Sequence, residues 1–363
     1  MSRRNARNEI TGVLEMVSEQ NASSITSHPK SVDVLRIIDH FLNEKNSWIG
    51  TPATQKAMQE HGTRVGVDAP HLLHAIVSFS AAHLDYLYPD PELRITAVHH
   101  YGRLVALYAA DVKRLETGTV NQLFGTCIML TMLSYLVVGY DNPKLLCNPE
   151  EHECNWDAFR SLGGVRIMHS VPALYDQLGR GVWVSLLEES RERKEMMEKG
   201  PIIVPAWWSK IMTGLCDLCN VSSDLQHGDS TYLESLRGLN MIVYGSLDDT
   251  KVGQMMHYIG NLTMPFSKVL EQLEPRAMLI ILYWHVLLML IGQWWATHTG
   301  IVASRRTIAY LWKVGGKDLR KLLVFPAALC GLDLDSLDRL QQNCQEDPSS
   351  VSPIAEDQTS VLL

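Results

Sequence analysis

Cysteine and histidine side chains offer the first candidates for chemistry in this sequence. Cys147, His152 and Cys154 place three soft metal ligands within eight residues of one another. A structural zinc site takes four such ligands and usually contains Cys-x2-Cys pairs. The fourth ligand and the paired spacing are both missing. The sequence therefore favours a surface loop here over a zinc site.

Cys216 and Cys219 form a lone Cys-x-x-Cys motif. Residues three apart share one face of a helix, and leucines at 215 and 218 flank the two cysteines. A thioredoxin-like redox pair would follow a strand, and no strand pattern precedes this motif. We therefore interpret both thiols as core residues, with a redox pair as the alternative.

Histidines form two further candidate groups. His71 and His74 are spaced to share one helix face, whereas His99 and His100 are neighbours and point apart. No carboxylate is spaced to complete a helix-borne metal motif with either pair. The sequence predicts partly buried, hydrogen-bonded histidines and no metal site.

Carboxylates give no catalytic pattern. Asp85, Asp111 and Asp157 lie near apolar segments, but nothing in their spacing brings two of them to one pocket. The sequence also lacks a glycine-rich phosphate loop, an H-E-x-x-H motif and a G-x-S-x-G motif. We expect no catalytic residue, no cofactor and no enzymatic activity.

The elements that would position these residues are helical, and one of them stands out. The sequence from 276 to 295, RAMLIILYWHVLLMLIGQWW, is apolar on every side of a helix, so no face of it is suited to water. Its length would also span a bilayer. Arg276, His285 and Gln293 interrupt the run, so we predict a buried central helix and no membrane span.

Helical periodicity recurs along the chain, and no alternating strand pattern of useful length is present. The sequence therefore predicts an all-α fold with a single large multi-helix domain around the central helix. Predicted helices cover 32–44, 52–62, 72–87, 91–115, 120–140, 156–168, 205–221, 232–244, 251–262, 265–273, 276–295, 307–314 and 317–323. The domain boundaries are a flexible arm at 1–30, the helical domain at 31–325, an acidic and hydrophobic segment at 326–345, and a disordered tail at 346–363.

Composition excludes one class of function and favours one compartment. The net charge is −8 and the pI is near 6.0, unlike a domain that grips nucleic acid by its phosphates. Seven scattered cysteines and a polar N-terminus indicate a reducing, intracellular setting. Fifteen methionines indicate an adaptable interior.

The C-terminal segment contains LDLDSLDRL at 332–340, in which acidic and bulky apolar residues alternate. Such alternation is typical of segments that fold onto a coactivator surface. The same spacing equally suits a last amphipathic helix that docks Leu334, Leu337 and Leu340 on the domain. We favour the docked helix and keep the coactivator segment as the alternative.

Several stretches together are similar to one known family. They are PHLLHAIVSFSAAHL at 70–84 followed by HHY at 99–101, WDAFRSLGGVR at 156–166, and the central helix running into a Trp-Trp pair. In order and spacing these resemble the C-terminal regulatory domain of fungal Zn2Cys6 zinc-cluster transcription factors, in particular the sterol-uptake-control type. The similarity spans about 30–325.

The resemblance implies an all-helical regulatory domain in the nucleus that binds an apolar, sterol-like molecule and controls sterol or secondary-metabolite genes. Outside this resemblance we expect a cytoplasmic location. The sequence contains no C-x2-C-x6-C run of the zinc cluster. We therefore expect DNA contact only indirectly or through a partner protein, as a homodimer or heterodimer. A chain with a missing cluster segment and a relative that lost its cluster are the alternatives.

Methionines on the apolar helices suggest where a ligand would bind. We predict a pocket lined by Met129, Met132, Met278 and Met289, with a polar group near Tyr283 or His285. Plain core packing of the same six residues is the alternative. A helical ligand-binding or protein-interaction module without a transcriptional role is the alternative function.

Overall fold

A computed structural model describes residues 34–43, 49, 52–113, 119–137, 172–188, 191, 195, 204–260, 262–337 and 339. Across these ranges the chain is helical without a β-strand, and the one extended pairing is an isolated bridge between Val221 and Gly228. The all-α prediction is confirmed. The fold divides into two compact units, one comprising 1–137 and 157–198, the other 138–156 and 199–363. The single predicted domain at 31–325 has residues in both.

In its described residues the first unit contains a π-helical turn, Met58–Gly62, seven α-helices, and a further helical stretch at 184–188. The seven α-helices are α1 (Val34–Asn43), α2 (Pro52–Ala57), α3 (Thr63–Val67), α4 (Pro70–Leu87), α5 (Pro91–Val112), α6 (Val120–Val137) and α7 (Pro172–Gly179).

Helix α4 organises the first unit, because α1, α3, α5 and α6 all pack against it. Pro70 at its first turn suits a helix start, and 13 of its 18 residues are buried. Apolar residues from α1, α4 and α5 form one core cluster: Ile37, Ile38, Leu73, Val77, Ala81, Leu84, Leu93 and Ala97. The polar residues of α4 are consequently carried into the interior with its leucines.

In the second unit, α8 (Ala206–Cys219), α9 (Ser230–Ile242), α10 (Val252–Gly260) and α11 (Met264–Glu271) precede the predicted central helix. That helix is α12 (Pro275–Ile291), followed by α13 (Trp294–Val314), α14 (Lys317–Lys321) and α15 (Val324–Leu329).

Helix α12 is buried as the sequence predicts, with 13 of its 17 residues in the interior. The Glu274 carboxylate caps its first turn by accepting from the Ala277 amide. Gly292 ends it in the left-handed region at φ 76°. The predicted helix at 276–295 is therefore cut at Ile291, and Trp294 begins α13, which also includes the predicted helix at 307–314.

The described part of the C-terminal segment packs on the fold. Residues 334–337 are helical, Leu337 is fully buried and Leu334 half-buried, and Leu340 lies outside the described residues. The Asp333 carboxylate accepts from the amides of Asp335 and Ser336, as a helix cap does. This favours the docked amphipathic helix over a free coactivator segment.

Pro326 lies in the first turn of α15, where a missing amide proton costs nothing.

Several predictions lie outside the described residues. They are the arm at 1–30, the helix at 156–168, the tail at 346–363, Asp157, and the cluster of Cys147, His152 and Cys154.

No single helix in the described ranges has both the length and the apolarity to cross a membrane. Helices α11 and α12 pass that test only as a pair, and they are bent by 101° at the break between them.

Candidate functional site

Four of the six predicted pocket residues lie on α12. Met278, Tyr283 and His285 are almost completely buried, and Met289 is half-buried. The Tyr283 hydroxyl donates a hydrogen bond to the Leu322 carbonyl at 2.7 Å. Its burial raises the pKa of Tyr283 well above the usual value. The polar group of Tyr283 thus holds the end of α14 against α12.

Helical register groups the remaining residues of α12. Met278, His285 and Met289 follow at intervals of seven and four, so they lie along one side of the helix, and Tyr283 lies on another. The Met289 side chain packs on Gly300 of α13, where an added Cβ would approach its Cγ to 2.9 Å. Met129 and Met132 are buried on α6 of the first unit.

Two tryptophans fix α12 to its neighbours. The Trp284 indole donates to the Met255 carbonyl of α10 at 3.1 Å, and Trp208 of α8 meets the Tyr283 ring edge-on at 6.0 Å. Both indoles are fully buried. On these sides α12 therefore makes specific packing contacts, and the polar atom of each aromatic ring has a hydrogen-bond partner.

The two cysteines of the Cys-x-x-Cys motif lie inside the second unit. Cys216 and Cys219 are both buried and free. Burial raises the pKa of Cys216 to about 11 and that of Cys219 to about 12. A reactive cysteine requires the thiolate, which these surroundings disfavour at neutral pH. The arrangement fits core packing.

A buried group of histidines in the first unit is the most distinctive polar feature of the fold. The Nδ1 atoms of His74 on α4 and His100 on α5 lie 2.8 Å apart. A hydrogen bond at that distance requires one nitrogen to donate and the other to accept. At most one of the two imidazoles can therefore be protonated without breaking the contact.

His71 lies one turn before His74 and bridges all three helices. Its Nδ1 is 2.7 Å from the Thr126 hydroxyl of α6, which itself donates to the Gln122 carbonyl at 2.8 Å. With its one proton given to Gln122, the Thr126 hydroxyl accepts from the His71 Nδ1, and a neutral His71 then turns an unprotonated Nε2 towards the Asp111 carboxylate of α5 at 3.4 Å. In the opposite tautomer, Nε2 donates to Asp111 and Nδ1 accepts from the Thr126 hydroxyl.

Burial and neighbouring charges keep these imidazoles neutral. Burial lowers the pKa of His74 to about 4, with Arg103 and His99 adding to the effect. It lowers the pKa of His100 to about 3. The pKa of His71 is also lowered by burial, against the opposing pull of Asp111. The fold therefore disfavours the protonated, positively charged form of all three imidazoles.

Tyr108 and Cys127 complete the buried polar group between α5 and α6. The Tyr108 ring meets His71 edge-on with centroids 6.0 Å apart. Burial raises the pKa of Tyr108, and a hydrogen bond with Cys127 raises it further. The Tyr108 hydroxyl is consequently neutral at physiological pH.

A second pair links α4 to α1, where His40 Nε2 and His83 Nδ1 lie 2.9 Å apart. Sequence reasoning singled out His71 and His74 but missed both direct histidine pairs. The order of α4 and α5, joined by a short turn, brings His100 back beside His74. In the described part of the chain, no three His, Cys, Asp or Glu side chains converge in a way that could hold a metal ion. The group can take up protons, as the lowered pKa values of its histidines show.

Comparison with known proteins adds nothing to this geometry. No protein family matches the chain, and no curated protein is similar enough to count as a relative.

Proposed function

We propose that this chain is a non-catalytic regulatory module of the fungal zinc-cluster type that binds an apolar, sterol-like molecule and controls sterol or secondary-metabolite genes in the nucleus. It contacts DNA indirectly or through a partner protein. The ligand lies along the side of α12 that bears Met278, His285 and Met289, with a polar group of the ligand at His285. That Met129 and Met132 also line the pocket stays a prediction.

One observation carries this proposal: two of the stretches that resemble the family form largely buried helices, α4 and α12. The all-α fold is also the fold that the resemblance implies. The non-catalytic part rests on the described titratable groups. The buried thiols have raised pKa values and the buried imidazoles lowered ones, which suits packing better than acid–base or nucleophilic chemistry.

Lipid mass spectrometry on protein purified from its native host tests ligand binding. A stoichiometric apolar molecule that raises the melting temperature when added back is the expected result, since a ligand that binds only the folded state stabilises it. Protein without bound lipid, and without a shift from ergosterol or cholesterol, would overturn the sensor.

A pair of methionine variants localises the site. Met289→Trp enlarges the side chain that packs on Gly300 and should reduce the ligand-induced shift, whereas Met264→Trp changes a methionine that is 69% exposed and should leave it unchanged. The melting temperature of each variant without ligand reports whether it folds. Met289→Leu, which is close in volume, should retain most of the shift.

A second candidate is a ligand-binding or protein-interaction module without a transcriptional role, and the burial of Leu337 favours it. A docked C-terminal segment is not available to a coactivator surface. Fusing the full chain to a foreign DNA-binding domain and measuring a reporter separates the two. Ligand-dependent expression supports the regulator, and a silent reporter with intact ligand binding supports the module.

A further inference from the structure

The outer face of α5 is apolar where a solvated helix would be polar. Ile95 is 51% exposed, Val98 58%, Val105 39% and Val112 44%, and Gly102 and Ala109 between them are exposed too. The opposite face of the same helix carries Leu93, Thr96, Ala97 and Leu104 into the core. We call the six exposed residues the α5 seam: Ile95, Val98, Gly102, Val105, Ala109 and Val112.

The spacing of the α5 seam is the heptad pattern of a coiled coil. Its members follow one another at intervals of three, four, three, four and three residues. This alternation places them in a straight row along a helix that pairs with another helix. At 1.5 Å per residue the row is roughly 26 Å long. A single α-helix is therefore the shape that fits it.

We propose that the α5 seam pairs with the α5 seam of a second copy of this chain, with the two helices antiparallel. In that arrangement Ile95 faces Val112 of the second copy, Val98 faces Ala109, and Gly102 faces Val105. Every small residue meets a valine, so large and small side chains alternate across the contact as a packed interface requires. A parallel pair would instead set glycine against glycine and alanine against alanine.

Charge at the edges of the seam agrees with the antiparallel arrangement. Glu92 is half-buried, with its Oε2 in the interior, and borders the seam at the start of α5; exposed Lys113 borders it on the same side at the end. Two antiparallel copies bring Glu92 of each beside Lys113 of the other, which gives one opposite-charge pair at each end. An added Cβ at Gly102 meets nothing within 4 Å, so the backbone there is open to a close approach.

The size of the contact sets its strength. Stable interfaces bury about 1,200–2,000 Å² in total, and one helix pair of this length falls at the lower limit. We therefore expect a dimer that dissociates in the micromolar range. This inference does not depend on ligand binding or on transcriptional regulation.

Sedimentation equilibrium of the full chain between about 1 and 200 μM tests the proposal, at the concentrations where such small interfaces dissociate. The chain should dimerise, and Val105→Lys should weaken the dimer at least tenfold. Val324→Lys places the same change on another exposed valine and should leave the dimer intact. A chain that is monomeric throughout, or a dimer indifferent to Val105→Lys, overturns the proposal. Unchanged helical circular dichroism shows that the variants fold.

A charge swap tests the direction of the helices. Glu92→Lys alone should weaken the dimer several-fold, because two lysines then meet at each end. The double variant Glu92→Lys with Lys113→Glu should restore it, because both charges are exchanged. A double variant as weak as the single one would overturn the antiparallel arrangement.

Discussion

His74 and His100 share one hydrogen bond in a buried site, and this makes the first unit sensitive to acid. Both pKa values lie below that of an exposed histidine, which is near 6.5. As the pH falls below about 6.5, His74 and His100 become protonated in the unfolded chain but stay neutral in the folded chain. Stability is therefore fully present above this pH and decreases as the pH falls towards 4 and 3.

We expect the unfolding free energy to fall by roughly 2 kcal/mol per pH unit between pH 6 and 4.5, since the folded pair withholds close to two protons and each contributes up to about 1.4. Urea unfolding across this range measures the slope, and hydrogen exchange of α4 peptides locates it. Replacing both members of the pair, His74→Leu with His100→Leu, should flatten the curve. The exposed His227, changed to Gln, should not. A slope that the double variant leaves unchanged would contradict the assignment.

The contact between His71 and Thr126 gives a second test at a single atom. Thr126→Val keeps the shape of the side chain but removes the hydrogen-bond partner of the buried His71 Nδ1. Leaving that nitrogen without a partner should cost about 1–3 kcal/mol of unfolding free energy. Thr126→Ser keeps the hydroxyl and serves as the control, with a smaller loss from the missing methyl group. Equal losses in the two variants would show that the hydroxyl is not the cause.

Only part of this site could be predicted from residue types and spacing. The positions of His71 and His74 on one helix face follow from the three-residue interval. Their partners Thr126 and Asp111 lie 55 and 40 residues from His71 along the chain, and no local pattern connects them. Side-chain pairs between helices depend on the rotation of each helix about its axis, which many weak packing contacts decide together.

Among the helices, the end of α12 shows how one residue sets a boundary. Gly292 adopts φ 76°, which other residues reach only with strain, and no atom lies within 4 Å of an added Cβ. Gly292→Ala should therefore destabilise the chain by roughly 1 kcal/mol through the backbone alone. Gly292→Asn should cost less, because asparagine tolerates this conformation.

Chemical denaturation of these variants checks the prediction, with Gly316→Ala as the matched control. Gly316 also has open space around it but adopts φ −75°, which alanine reaches freely. We expect its substitution to change the unfolding free energy by less than about 0.5 kcal/mol. Equal effects at both glycines would show that conformation is not the determining factor.

The sequence predicted which segments form helices more reliably than it predicted where each helix begins and ends. The apolar run of α12 and the proline at its start were sufficient to predict a buried helix. The break before Trp294 depends on a left-handed glycine in a run that is otherwise apolar, and Trp294 and Trp295 continue the same pattern into α13. Periodicity alone cannot separate two buried helices joined by two residues.

For the whole molecule, length and composition allowed either one large domain or two smaller units. Among the described residues, those up to 195 belong to the first unit and those from 204 onward to the second. Composition changes little along the chain, so it gives no sign of this division. Only tertiary contacts define the units, and each contains a largely buried helix of its own, α4 or α12.

Because each unit has its own core, we expect a destabilising substitution in one unit to leave the other unit folded. Gly125 of α6 lies against Trp183, and an added Cβ would come within 2.6 Å of the indole ring. Trp183 cannot easily move, because it is fully buried and its indole donates to the Asn121 carbonyl at 2.7 Å. Overpacking of this kind typically costs about 1–3 kcal/mol.

Gly125→Ala should accordingly lower hydrogen-exchange protection in α4 and α6 while α12 keeps its protection, because local stability follows the contacts of each cooperative unit. Gly179→Ala in the same unit meets no atom within 4 Å and should leave all three helices unchanged. Equal loss of protection in α12 and α6 would mean that the two units unfold as one. Loss confined to the first unit would make each a separate cooperative unit, so that ligand variants in α12 and acid-sensing variants in α4 can be studied independently.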